Sequence, residues 1–214
     1  MLKLIVFDCD GVMFDSKNAN RKYYNFLLNH FGIKEMKEDD VDFVHIHSVN
    51  ESIEHIFRNH PEVSLEEIHQ LRAETGYAPF LKYMAMEPDL IDFLETVRQN
   101  YSLAISTNRT DTMIPLLHSY KLEHFFGKVM TAANAPQPKP APDALLEILT
   151  YYNCRPEDTL FIGDSVIDEQ HAASCNVDLI AFRNQELNGR YHVSSFMEIL
   201  KLPPFKDNLS KKNS

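Results

Sequence analysis

Seven side chains in this sequence have types and spacings that could do chemistry together: Asp8 and Asp10, Thr107 and Asn108, Lys139, Asp164 and Asp168. Carboxylates converging without countercharge repel one another, so the set implies a divalent cation. An oxygen-only donor set with retained waters suits magnesium. An ionised carboxylate beside such a cation can attack phosphorus to give an acyl phosphate. A second carboxylic acid two residues away can protonate the departing oxygen and later deprotonate water. Lys139 and a hydroxyl would hold the phosphoryl oxygens as charge redistributes.

Positioning these groups needs a scaffold whose strand ends converge. Leu2–Phe7 is apolar except for Lys3, is rich in branched residues, and ends abruptly in Asp-Cys-Asp-Gly. That pattern predicts a buried parallel strand running into a loop. Ser102–Thr107, Thr159–Ile162 and Val177–Phe182 look alike, with Lys128–Thr131 a weaker fourth. Helical patterns separate them: Leu90, Phe93, Leu94 and Val97 share one face, as do Ala144, Leu145, Ile148 and Leu149. Alternating strands and helices predict an α/β fold, a doubly wound parallel sheet. In such sheets ligands bind beyond the carboxyl ends of the strands, where the seven residues fall.

Ser16 to Met86 interrupts the alternation with helical periodicity and no convincing strand. The expected organisation is a core of residues 1–15 and 87–200, an inserted helical cap at 16–86, and a polar tail at 201–214 whose lysine-rich stretch from Lys206 to Ser214 is frayed. The 214-residue chain is long enough for this, with 44% hydrophobic and 24% charged residues. A formal net charge of -10 argues against nucleic-acid or anionic-membrane binding. Cys9, Cys154 and Cys175 have no zinc or disulfide spacing. No apolar run is long enough for a signal peptide or a membrane span, which predicts a soluble, cytoplasmic protein.

Four segments carry a resemblance: Val6-Phe7-Asp8-Cys9-Asp10-Gly11-Val12, Ile105-Ser106-Thr107-Asn108-Arg109, Lys139-Pro140-Ala141-Pro142-Asp143, and Phe161-Ile162-Gly163-Asp164-Ser165 followed by Asp168. In order and context they resemble the motifs of the haloacid dehalogenase (HAD) superfamily, in its phosphoglycolate-phosphatase-like branch. The resemblance covers the core, and the cap only as a helical insertion in the expected place. It implies Asp8 as nucleophile and metal ligand, and Asp10 as general acid/base whose backbone carbonyl also binds metal. It implies Thr107 and the Asn108 amide on the phosphoryl group, Lys139 as its neutralising cation, Asp164 as a magnesium ligand and Asp168 in support. Asn176 stands where a glycine often ends the helix after Asp168, and asparagine tolerates the left-handed conformation needed there.

By strand alternation Cys9 should point away from its neighbouring aspartates and serve packing. Arg109 could touch substrate or be a solvated loop residue. His45-Ile46-His47 lacks a nearby third ligand and reads as surface or packing. His47, Ser48 and Asn50, in a polar break between cap helices, are candidate substrate contacts. The expected activity is hydrolysis of a small phosphorylated metabolite, with the oligomeric state open. The alternatives are a sugar-phosphate mutase and a catalytically idle binding or regulatory protein. The acid at Asp10 speaks against dehalogenase chemistry, and the acidic stretch Glu38, Asp39, Asp40 and Asp42 suits a solvated cap better than the sealing lid of a mutase.

Overall fold

The structure is a computed structural model that describes residues 1–47 and 49–209. Along the chain run β1 (Leu4–Phe7), β2 (Phe14–Asp15), α1 (Lys17–His30), α2 (Glu38–Ile46), α3 (Val49–Phe57), α4 (Leu65–Thr75) and β3 (Ala85–Met86). They continue with α5 (Leu90–Val97), β4 (Ser102–Thr107), α6 (Met113–Ser119), β5 (Lys128–Thr131), α7 (Asp143–Tyr152), β6 (Thr159–Gly163) and α8 (Val166–Ser174). The chain closes with β7 (Asp178–Phe182), β8 (Tyr191–Val193), α9 (Phe196–Ile199) and α10 (Pro203–Leu209). No described helix is long and apolar enough to cross a membrane.

The chain divides into two compact units, Met1–Phe14 with Met86–Ser214, and Asp15–Ala85. In the first, six parallel strands are ordered β5-β4-β1-β6-β7-β8. The doubly wound α/β fold expected from the strand pattern is therefore present. The unbroken apolar run of β1 suits its central place, where both faces are covered. One face buries Leu4, Val6, Ala104, Phe161 and Leu179 against Leu145, Ile148 and Leu149 of α7 and Ala172 of α8. The other carries an aromatic cluster in which Phe196 lies 6.1 Å from Phe7, 5.3 Å from Phe93 and 4.9 Å from Phe182, ring centre to ring centre. Burying each such ring stabilises the unit by roughly 2–3 kcal/mol.

Register sets the site. Phe7 pairs with Ile105 on one side and Ile162 on the other, so the residues after all three strands emerge at one edge. The amide of Asp8 continues the ladder to the Ile162 carbonyl at 2.9 Å. Chain connections diverge to either side of β1 here, which opens a crevice at the carboxyl ends.

The second unit packs α1 to α4 around Tyr23, Tyr24, Leu27, Leu28, Ile53, Ile56, Phe57, Ile68 and Phe80. Ser64 starts α4 with a capping box: its Oγ accepts from the Glu67 amide at 3.1 Å, and its own amide donates to Glu67 Oε2 at 3.2 Å.

The structure adds detail that the sequence pattern did not carry. Past Leu200, Pro203–Leu209 forms α10, whose Phe205 is buried and packs 5.4 Å from the Tyr101 ring, centre to centre. One large aromatic outweighs the polar character of the residues around it. Short strands also escaped notice, namely β8 and the two-residue pair β2 and β3, which form a ribbon of their own. Beside that ribbon the Glu87 amide donates to the Met13 carbonyl at 3.0 Å.

Candidate active site

Asp8 is the first residue beyond β1 and is almost fully buried. Lys139 Nζ lies 2.7 Å from its Oδ1 and 2.6 Å from Oδ1 of Asp168. Carboxylate oxygens of Asp8, Asp164 and Asp168 all fall within 4.8 Å of one another. These four groups, separated by up to 160 positions in sequence, meet at one strand edge.

The local chain explains the approach. Gly11 has φ +77°, and a Cβ there would stand 1.9 Å from Asp164 Oδ2. Only a residue without a side chain lets the loop after β1 close against Asp164. Asp168 serves as the third residue of α8: its Oδ2 accepts from the Asp164 amide at 3.3 Å, the Ser165 amide at 3.2 Å and the Ser165 hydroxyl at 2.7 Å. Its other oxygen faces Lys139, so Asp168 ties the turn carrying Asp164 to the lysine. Asn184 Nδ2 adds a bond to the Asp164 carbonyl at 2.8 Å.

Burial pushes the Asp8 carboxyl up to about 8, with repulsion from Asp168 adding to it and Lys139 opposing it. Burial likewise raises Asp164 to about 7, again with Asp168 adding. The Lys139 ammonium is held above the ordinary lysine range: burial disfavours its charge, but attraction to Asp8 and Asp168 prevails. One ammonium thus faces three carboxylates. Fully ionised, the group has two negative charges to spare, which matches one divalent cation. The donor set is all oxygen, as magnesium or calcium would require.

Asp10 is not one of the three carboxylates of this cluster. Arg109 engages both its oxygens, Nε to Oδ2 at 2.7 Å and Nη2 to Oδ1 at 2.7 Å. A third contact runs from Nη1 to Thr112 Oγ1 at 3.1 Å. With a side chain 8% exposed, Arg109 is packed against Asp10 rather than solvated, solvation being the second of the two readings its sequence left open. Thr107 is buried at the end of β4, and its Oγ1 accepts from the Arg109 amide at 3.2 Å. The Asn108 side chain brackets the Lys139 backbone, donating to its carbonyl at 3.0 Å and accepting from its amide at 2.8 Å. Cys9 is buried, and Asn176 has φ +54° at the end of α8.

In the helical unit, His47 is half-buried with its ring stacked 3.7 Å from that of Phe43, His45 is exposed, and Asn50 is exposed on α3. Ser48 lies outside the described residues. Sequence reasoning missed the Asn108 side-chain bracket, the Arg109 clamp, Asn184 and the buried His171. Each acts across a long sequence separation and has no local pattern.

A parallel sheet whose central strand delivers a buried aspartate to a lysine and two further carboxylates defines a family of hydrolases. The haloacid dehalogenase-like hydrolase family model matches residues 5–182, and the chain belongs to that family. Phosphoglycolate phosphatase 1 of Pseudomonas aeruginosa is 27% identical over 205 residues, 88% of this chain and 72% of that protein. Pyrophosphatase PpaX of Bacillus mycoides is 24% identical over 217 residues, covering 97% of this chain and 95% of its own. A crystal structure of a HAD-superfamily hydrolase of subfamily IA, variant 1, from Geobacter sulfurreducens superposes with a TM-score of 0.86 at 30% identity, covering 94% and 95% of the two chains.

Proposed function

We propose that this chain is a magnesium-dependent phosphatase that hydrolyses a small phosphorylated metabolite through a phospho-aspartyl intermediate on Asp8. The observation carrying the reading is the buried Asp8 carboxylate held by Lys139, with Asp164 and Asp168 in reach of the same point. Relatives named phosphoglycolate phosphatase and pyrophosphatase support the reaction class.

An Asp8 oxygen attacks phosphorus, and the bond from phosphorus to the leaving oxygen breaks as Asp10 gives that oxygen a proton. Water then attacks the same phosphorus, Asp10 takes its proton, and the aspartyl bond breaks to release inorganic phosphate and restore Asp8. Thr107 and the Asn108 amide bind the phosphoryl oxygens, and Lys139 offsets their charge. Asp8, Asp164 and the backbone carbonyl of Asp10 would hold the magnesium, with Asp168 acting through Lys139 and the Ser165 turn. Bound there, the ion supplies positive charge that keeps Asp8 ionised near neutral pH. Asp10 is gripped by Arg109 in this structure, so its proton transfers need that grip to loosen. His47 and Asn50 are proposed as substrate contacts.

The test is turnover of an accepted substrate in oxygen-18 water. Activity should vanish in chelator, return with magnesium and return poorly with calcium, and the label should appear in free phosphate. Isomerised sugar phosphate with little free phosphate would replace the phosphatase with a mutase.

A further inference from the structure

His171 lies beneath the lysine loop. It sits on α8 one turn beyond Asp168 and is completely buried. Its Nδ1 is 2.8 Å from the Ala141 carbonyl oxygen and its Nε2 is 2.9 Å from Ser106 Oγ. A carbonyl only accepts, so Nδ1 carries the proton. In the neutral ring Nε2 is then the acceptor, and the Ser106 hydroxyl donates to it. Burial, aided by the nearby Lys139 charge, pushes the ring down to about 4, so it is neutral at ordinary pH. The Phe161 ring meets it edge-on at 5.5 Å, which limits its rotation.

The two partners give the ring its meaning. Ser106 immediately precedes Thr107 at the end of β4, and Ala141 is two residues past Lys139. Asn108 brackets residue 139 from one side, while His171 holds residue 141 from beneath. Between these two supports the lysine side chain bridges Asp8 and Asp168.

We propose that His171 is a positioning residue for Lys139, bracing the Lys139–Ala141 turn against the end of β4 through its Nδ1–H. The proposal rests on the phosphatase reading only for what Lys139 does, not for the brace itself. A bland alternative is that the imidazole merely fills space. Two substitutions separate these. Glutamine is nearer to histidine in volume but puts its amide where Nε2 stood. Asparagine is smaller and places an N–H where Nδ1 stood.

The experiment measures magnesium-dependent hydrolysis of p-nitrophenyl phosphate, together with amide hydrogen exchange over residues 137–146, in folded wild-type, His171→Asn and His171→Gln proteins. His171→Asn should keep kcat within about threefold of wild type, whereas His171→Gln should lose roughly tenfold or more with KM changed far less. Exchange at the Lys139 and Ala141 amides should quicken in His171→Gln alone. Glutamine performing as well as asparagine, or both variants failing to fold, would overturn the brace and leave a packing residue. A wild type that leaves p-nitrophenyl phosphate intact would count against the phosphatase reading, while the exchange comparison still decides the brace.

Discussion

The two units handle charge in opposite ways. The sheet unit buries it: Asp8, Lys139, Asp168 and Glu87 are all nearly inaccessible, and each has a partner, Glu87 through two bonds from Arg183 at 2.5 and 2.7 Å. The helical unit buries aromatic rings and leaves most of its charge in contact with water, where Lys17 pairs with Asp42 and Arg21 with Glu38 on half-exposed to exposed side chains. Buried carboxylates are expensive unless matched, and the three around Lys139 share a single ammonium, so that cluster marks a place where chemistry outweighs stability. Exposed pairs carry little of either.

The sharpest way to break this contrast is Asp8→Asn. An amide cannot form the acyl phosphate, so kcat should fall by at least roughly a thousandfold. Because the substitution removes a carboxylate from a site with too many, the melting temperature should not drop. Retained turnover, or a protein that unfolds, would erase the distinction between the units.

A second test uses pH. Asp8 and Asp164 titrate near 8 and 7 in the folded protein, above the ordinary carboxylate value of about 4. Between these values the folded state holds protons that the unfolded chain has shed, so stability without metal falls as pH rises. His171 works oppositely: its folded value near 4 lies below the ordinary value of about 6.5, so it adds stability as pH climbs toward 6.5. The clean window for the carboxylates is therefore about pH 6.5 to 8. The melting temperature of chelated protein should decline across it, magnesium should raise it more at the upper end, and Asp164→Asn should flatten the decline. A flat profile in wild type would count against the buried-charge account.

The smallest effect belongs to the helical unit. Glu38→Gln, which breaks the exposed Arg21 pair, should move the melting temperature by less than about 2 °C. A larger shift would mean that surface pairs there bear more of the fold than their exposure suggests.

Strand positions were legible because each buried parallel strand is a short apolar run ending in a polar group of a distinctive type, as in Phe7-Asp8 and Gly163-Asp164. Lys139 was legible only through its Pro-rich surroundings, since no apolar run leads into it. What stayed hidden depends on side-chain direction. Arg109 could face solvent or substrate until the fold brought Asp10 within 2.7 Å, and the Asn108 side chain could point anywhere until the lysine loop arrived. The strand Tyr191–Val193 was too short and too polar to stand out, and Phe205 was masked by the lysines and asparagines that follow it.

The ribbon of Phe14–Asp15 and Ala85–Met86 has a consequence for how such a protein can change over time. The chain leaves the sheet unit and re-enters it at adjacent points, so everything between is, for the sheet, one closed loop. Closing such a loop becomes only about 0.6 kcal/mol harder for each doubling of its length. The intervening segment can therefore be lengthened, shortened or exchanged without disturbing the strands that deliver Asp8 and Asp164. The hydrolytic machinery and the inserted helices can diverge at different rates, each under its own selection.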